Sequence, residues 1–138
     1  MTVRILITGS REFGDRAAIA AKLSEVYRRF DRQQLILING GARGADSLTK
    51  SVADKADDSQ LLAETYPLTN ADWRPGGPGT PVDRRAGHRR NDVMVKTGAA
   101  LCLAFMSTAA EVTGGNRGTK GCIRAAEKAG IPVEITWD

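Results

Sequence analysis

The sequence predicts a single α/β domain built on a five-stranded, mostly parallel sheet with helices on both faces. Three observations carry that expectation. Short apolar runs alternate with segments of helical period, most connections between them are brief, and 138 residues suffice for one hydrophobic core.

Val3 to Thr8 (VRILIT) is short, β-branched and ends at Gly9, as a buried strand does. Over 15–30, Ile19, Leu23, Val26, Tyr27 and Phe30 fall on one helical face, and Asp15 is a suitable N-cap. Leu35 to Asn39 (LILIN) is the second strand, and a helix over 44–56 carries Ala45, Leu48, Val52 and Ala56 at helical spacing. Leu61 to Leu68 makes a weaker third strand, broken by Pro67. Residues 69–83 hold Gly76, Gly77 and Gly79 with Pro75, Pro78 and Pro81, a composition that predicts a loop. Helix resumes near Arg84 and runs to Thr97. Ala99 to Met106 (AALCLAFM) reads as a strand buried on both faces. Residues 107–117 predict a second polar, glycine-rich loop, mobile without ligand and able to order over a site. Thr119 to Ala129 is helical, with Gly130 as its stop, and Ile131 to Trp137 closes the chain as a strand.

Composition narrows the function classes. Hydrophobic content is 41% and charged content 26%, ordinary for a globule, and no apolar run reaches the ~18 residues of a membrane span. The start MTVRILITGS has no signal-peptide pattern, so a cytoplasmic location is expected. Cys102 and Cys122 lack metal-ligand spacing and His88 is the lone histidine, so neither a metal nor a required cofactor is expected. A net charge of +4 permits an anionic partner. Arg84, Arg85, Arg89 and Arg90 cluster, either as a solvated helix face or as a phosphate-directed patch.

The glycine loops follow strands one, two and four, where open parallel sheets bind ligands. TGSREFGD (8–15) has Asp15 where a P-loop needs lysine, and GGARGAD (40–46) is not a dinucleotide fingerprint. What remains is backbone able to approach a ligand closely and helices whose first amides attract an anion. Candidate ligand contacts are Gly9, Ser10 and Arg11 in the first loop, and Gly40, Gly41, Arg43, Gly44 and Asp46 in the second. Asp46 either accepts from ribose hydroxyls or simply favours a helix N-terminus. In RRAGHRRNDVM (84–94), Arg90 and Asn91 border one helical face with Gly87 and Met94, suiting either a ligand or a helix contact. In GGNRGTKG (114–121), Gly118 and Thr119 open the last helix, as an anion site, an N-cap or both. Trp73 either stacks on a base or anchors its loop.

The series TGSREF, GGARGAD, ADW, AG-x-x-RN-x-x-M, RGT and AGIPV, in this order, resembles the SLOG superfamily of Rossmann-like proteins, in its small YspA-related branch. The resemblance spans nearly the whole chain. It implies a nucleotide or nucleotide-derived ligand held at the carboxyl edge of the sheet. The wider superfamily includes the Lonely Guy phosphoribohydrolases, the DNA-processing protein A family and molybdenum-cofactor carriers, and its enzymes are commonly dimers. Phosphoribohydrolase members carry Pro-Gly-Gly-x-Gly-Thr-x-x-Glu. Here Cys122 stands in place of that glutamate, and a thiol cannot replace a carboxylate at an oxocarbenium-like centre. The candidate catalytic carboxylates are therefore Asp46 and Glu111, the latter in the loop before GGNRGTKG.

These readings favour a small-molecule binder: a sensor, carrier or sequestering protein for a nucleotide-derived ligand. A hydrolase or transferase acting on a nucleotide N-glycosidic or phosphate bond is the alternative, and nucleic-acid binding the second. A homodimer or higher homo-oligomer is expected by analogy, with AALCLAFM and an open sheet edge as candidate surfaces. No membrane partner is expected.

Overall fold

The computed structural model describes residues 1–138. The elements are β1 (Thr2–Gly9), α1 (Arg16–Arg29), β2 (Gln34–Asn39), α2 (Ala45–Lys55), β3 (Leu61–Thr65), α3 (Asn70–Trp73), α4 (Ala86–Lys96), β4 (Leu101–Met106), α5 (Thr108–Thr113), α6 (Arg117–Lys128) and β5 (Val133–Trp137). The sheet order is β3-β2-β1-β4-β5 and every pairing is parallel, so the sheet is wholly rather than mostly parallel.

Alternation along β1 explains the two cores. Ile5 and Ile7 join Leu23, Val26, Leu37 and Phe105 in one cluster beneath α1 and α2. Leu6, pointing the other way, joins Ile38, Met94, Cys102 and Cys122 beneath α4 and α6. Central strands buried on both faces need no polar residue, which is why LILI and LCLAFM read as unbroken apolar runs. All six residues of β4 are buried and the strand is internal to the sheet. AALCLAFM therefore provides core and not a self-association surface. The open edges are β3 and β5, and β5 exposes Ile135 and Trp137. The carboxylate of Glu134 bonds Lys22 and Arg29, tying that edge strand to α1.

Several boundaries correct the sequence reading. β3 stops at Thr65, before Pro67, which has no N–H to give a ladder. The 69–83 segment contains the single turn α3, closed by a capping box in which Thr69 and Asp72 satisfy each other's amides. The 107–117 segment is not simply a loop. Ser107 caps α5, accepting from Ala110 N, and Gly114 ends it in the left-handed conformation. Alanines 109 and 110 with Glu111 suit a helix once a cap is in place; the glycines that follow masked that signal. α6 starts at Arg117, so Thr119 lies inside the first turn, 3% exposed, and is not an N-cap. Asp15 does cap α1, accepting from Ala18 N at 3.0 Å.

Candidate functional site

Strand order reverses between β1 and β4. The loops leaving these two strands diverge, and the crevice between them is where open parallel sheets take ligands. A cavity of about 430 Å³ lies there. β1 and its loop contribute Gly9, Arg11 and Glu12, and the β2–α2 connection contributes Ala42, Arg43 and Asp46. Trp73, Arg84 just ahead of α4, and the α4 residues Gly87, His88, Arg90 and Asn91 form a second wall. Gly114, Gly115, Arg117, Gly118 and Thr119 form the third.

Two glycines fix the floor by contact. A Cβ on Gly9 would stand 2.3 Å from Ala45 Cβ and 2.8 Å from the Phe105 carbonyl oxygen, so β1, β4 and α2 can meet only over a bare Cα. Gly44 has φ +78°, and a Cβ there would stand 2.4 Å from the Ser10 carbonyl oxygen. Ser10 is the staple on the other side of that contact. Its N–H donates to Phe105 O at 2.8 Å, its carbonyl accepts from Phe13 and Ala45 amides, and its hydroxyl accepts from Glu12 N at 3.0 Å.

The GGARGAD amides are largely occupied within the protein. Asp46 Oδ2 accepts from Gly40 N at 3.1 Å and Ala42 N at 3.2 Å, while Gly41 N donates to Asn39 Oδ1 at 2.9 Å. Ala45 N donates to Ser10 O at 3.2 Å. The Gly40 and Gly41 amides are thus engaged within the loop, and Gly44 provides clearance for the Ser10 carbonyl. Ser10, Gly40, Gly41 and Gly44 do not line the cavity; they hold the residues that do.

Arg90 also faces inward. Its guanidinium donates to Gly40 O at 2.6 Å, Tyr66 O at 3.3 Å and Asn91 Oδ1 at 3.0 Å, locking α4 to the β2–α2 loop. Burial lowers its pKa, opposed by the charge of Asp46. Asp46 is 6% exposed, and burial pushes its carboxyl up to about 6 against the pull of the Ala42 and Gly40 amides, Arg90 and Arg11. Its second oxygen, Oδ1, has no hydrogen-bond donor.

At the opposite wall, Lys120 N donates to Asn116 O at 2.9 Å, leaving the Gly118 and Thr119 amides as the open donors of the first turn of α6. Asn116 is buried and clamps the α5–α6 turn to Ser107, donating to its carbonyl at 2.9 Å. Glu111 accepts from Asn116 Nδ2 at 2.6 Å and from Lys120, which hold its pKa below the usual range. It is exposed and outside the cavity lining, so it supplies no carboxylate to this site. No three His, Cys, Asp or Glu side chains gather as a metal set, and no helix is long and apolar enough to cross a membrane.

The sequence model of the YspA, cpYpsA-related SLOG family matches residues 3–74, which include both the first and second glycine loops. The chain belongs to that family. This SLOG domain is 38% identical over 130 residues to the gene 61 protein of Mycobacterium phage D29, covering 94% of this chain and 93% of the relative. Its fold is similar to that of DNA processing protein A from Helicobacter pylori, described for its single-stranded DNA binding mode. That likeness has a TM-score of 0.61 at 11% identity and covers 96% of this chain and 64% of that one.

Within the SLOG domain, the cavity brings together Gly9, Arg11, Arg43, Asp46, Trp73, Arg90, Asn91, Gly118 and Thr119 from the sequence-derived candidates. Arg117, Arg84 and His88 line it as well; of these, only Arg84 is foreseen in the sequence, as part of the basic cluster read either as a solvated face or as a phosphate-directed patch. Arg117 lies directly before Gly118 in a loop already read as an anion site, which was the available signal. The Arg84–Arg90 cluster does not form one surface stripe. Arg84 faces the cavity, Arg89 pairs with Asp83, and Arg90 is bonded inward.

Proposed function

We propose that this domain binds a nucleotide-derived small molecule in the β1/β4 crevice, with the anionic group at the start of α6. The observation that carries the reading is the lining itself. Five arginines and one histidine surround a concave site, against two carboxylates, Glu12 and Asp46. Glu12 is paired with Arg43 at 3.2 Å. The open Gly118 and Thr119 amides at a 12-residue helix start add directed donors to that positive field. Trp73, with Cη2 facing Gly87 of α4, offers an aromatic face at the rim.

Binding without turnover is favoured by Cys122, which stands where phosphoribohydrolase-type SLOG enzymes carry glutamate. Burial pushes its thiol up to about 11, so it supplies no base at neutral pH. Native mass spectrometry of the protein purified from cells tests the reading, with a co-purifying nucleotide-sized mass expected. Absence of any such mass, together with no thermal stabilisation by a nucleotide panel, overturns it.

A second reading is single-stranded nucleic acid laid across the same mouth. It draws on the fold likeness to DNA processing protein A and on the exposed Arg11, Arg84 and Arg117 at the rim. A steep fall of oligonucleotide affinity with salt, about one power of salt concentration per phosphate contacted, supports it; flat salt dependence removes it.

A further inference from the structure

Among the side chains that line the cavity, Asp46 carries the buried oxygen without a partner, Oδ1; Thr49 Oγ1, three residues on along α2 and outside the lining, is the other such side-chain atom in the protein. Asp46 Oδ1 is shielded from solvent and has no donor, although it belongs to a side chain that lines the cavity. The other oxygen of the carboxylate is fixed by two backbone amides, so the group cannot rotate to serve Oδ1 without orphaning Gly40 N or Ala42 N. Arg90 and Arg11 favour the charge on Asp46 electrostatically, but neither donates to it; Arg90 is committed to Gly40, Tyr66 and Asn91. A buried carboxylate oxygen without a donor costs free energy, so it calls for a completing partner, and a ligand donor in the adjoining cavity is one that the lining accommodates.

The rest of the lining restricts what completes it. The α6 amides, Arg117 and His88 suit an anion, and Trp73 suits a flat apolar ring. Asp46 can accept only from a neutral or cationic donor. In a nucleotide, the part between the ring and the phosphate is the sugar, and its donors are hydroxyls. Resting on the binding reading above, we infer that Asp46 Oδ1 accepts a hydrogen bond from a sugar hydroxyl and makes the site selective for ribosyl over deoxyribosyl ligands. Asp46 is thus a specificity-determining residue, a role that a mere helix-start acid would not have.

The test is calorimetric titration of the intact wild-type protein with AMP, 2′-deoxy-AMP, 3′-deoxy-AMP, IMP and ribose 5-phosphate. The expected result is equal binding of AMP and IMP, with at least one deoxy analogue weaker by about 10- to 100-fold, the range for a hydrogen bond to a charged group. That ratio closes to near unity in Asp46→Ala, whose folding is checked by thermal melting. The analogue series on wild-type protein decides the matter even where the variant does not fold. Equal affinity for the ribosyl and both deoxyribosyl forms overturns the inference. So does a loss with IMP alone, which would place an exocyclic base amine on Asp46. If no nucleotide and no ribose 5-phosphate binds, the binding reading itself fails and this inference falls with it.

Discussion

Replacing Gly44 by alanine probes how the site is held open. Gly44 is the N-cap of α2, at φ +78° and ψ −126°, a backbone state that L-residues rarely adopt. Entering it costs about 1–3 kcal/mol for any residue with a Cβ. The added Cβ would also meet Ser10 O at 2.4 Å and Arg11 O at 2.5 Å. Both are backbone atoms, and the Ser10 carbonyl is already held by Phe13 and Ala45 amides, so the loop cannot yield by a rotamer change. Forcing a methyl into such packing costs a further ~1–3 kcal/mol. The sum, about 2–6 kcal/mol, is a large part of the ~5–15 kcal/mol stability of a domain. Urea denaturation of Gly44→Ala beside Gly118→Ala is the assay. A Cβ on Gly118 meets nothing within 4 Å, so that variant is expected to be neutral or slightly stabilising. Destabilisation of Gly44→Ala by less than about 1 kcal/mol would refute the contact argument, because neither its strain nor its clash would then be present.

Further outcomes follow from the charged groups. Asp46 has its folded pKa raised to about 6 from 3.8, so the native state binds the extra proton between those values and stability falls as pH rises through that window. Asp46→Asn, whose carbonyl still accepts from the loop amides, is therefore expected to be more stable than wild type at pH 8, by up to about 3 kcal/mol, and equal to it below about pH 4. Denaturation at the two pH values checks this. Glu134 has the opposite sign: Arg29 and Lys22 lower its pKa to about 2, so its contribution is present above its unfolded value and lost as pH falls towards 2. Glu134→Gln is expected to cost at most about 1 kcal/mol at pH 7, read from the urea midpoint, with the gap closing in acid. Arg90→Lys keeps the charge but loses the fork to Gly40 O, Tyr66 O and Asn91 Oδ1, and is expected to destabilise by about 2–4 kcal/mol in the same assay.

Much of this molecule was legible in the sequence, for identifiable reasons. Central parallel strands buried on both faces leave continuous apolar runs, so β1, β2 and β4 could be read directly. The glycine loops pointed to the carboxyl edge because only that edge receives strand-to-helix turns. The short helices α3 and α5 were not legible, since one or two turns give no period and their caps, Thr69 and Ser107, sit among loop residues. The loop's motif also hid its division of labour. A glycine clearing space for a ligand and one clearing space for a neighbouring carbonyl look alike in a sequence. Only the contacts separate Gly44 from Gly118. Likewise, nothing in RRAGHRRND distinguishes Arg84, facing the cavity, from Arg90, bonded inward to Gly40 and Tyr66.

The central claim is that the start of α6 and the arginines around it receive the anionic group of a nucleotide-derived ligand. Calorimetric titration of AMP into wild-type protein and Arg117→Ala measures it most directly, because Arg117 lines the cavity yet is exposed and carries no part of the core. Saturable one-to-one binding is expected, weakened about 10-fold or more in the variant while the melting temperature is unchanged. No binding by the wild-type protein, or equal binding by both proteins, would contradict the account.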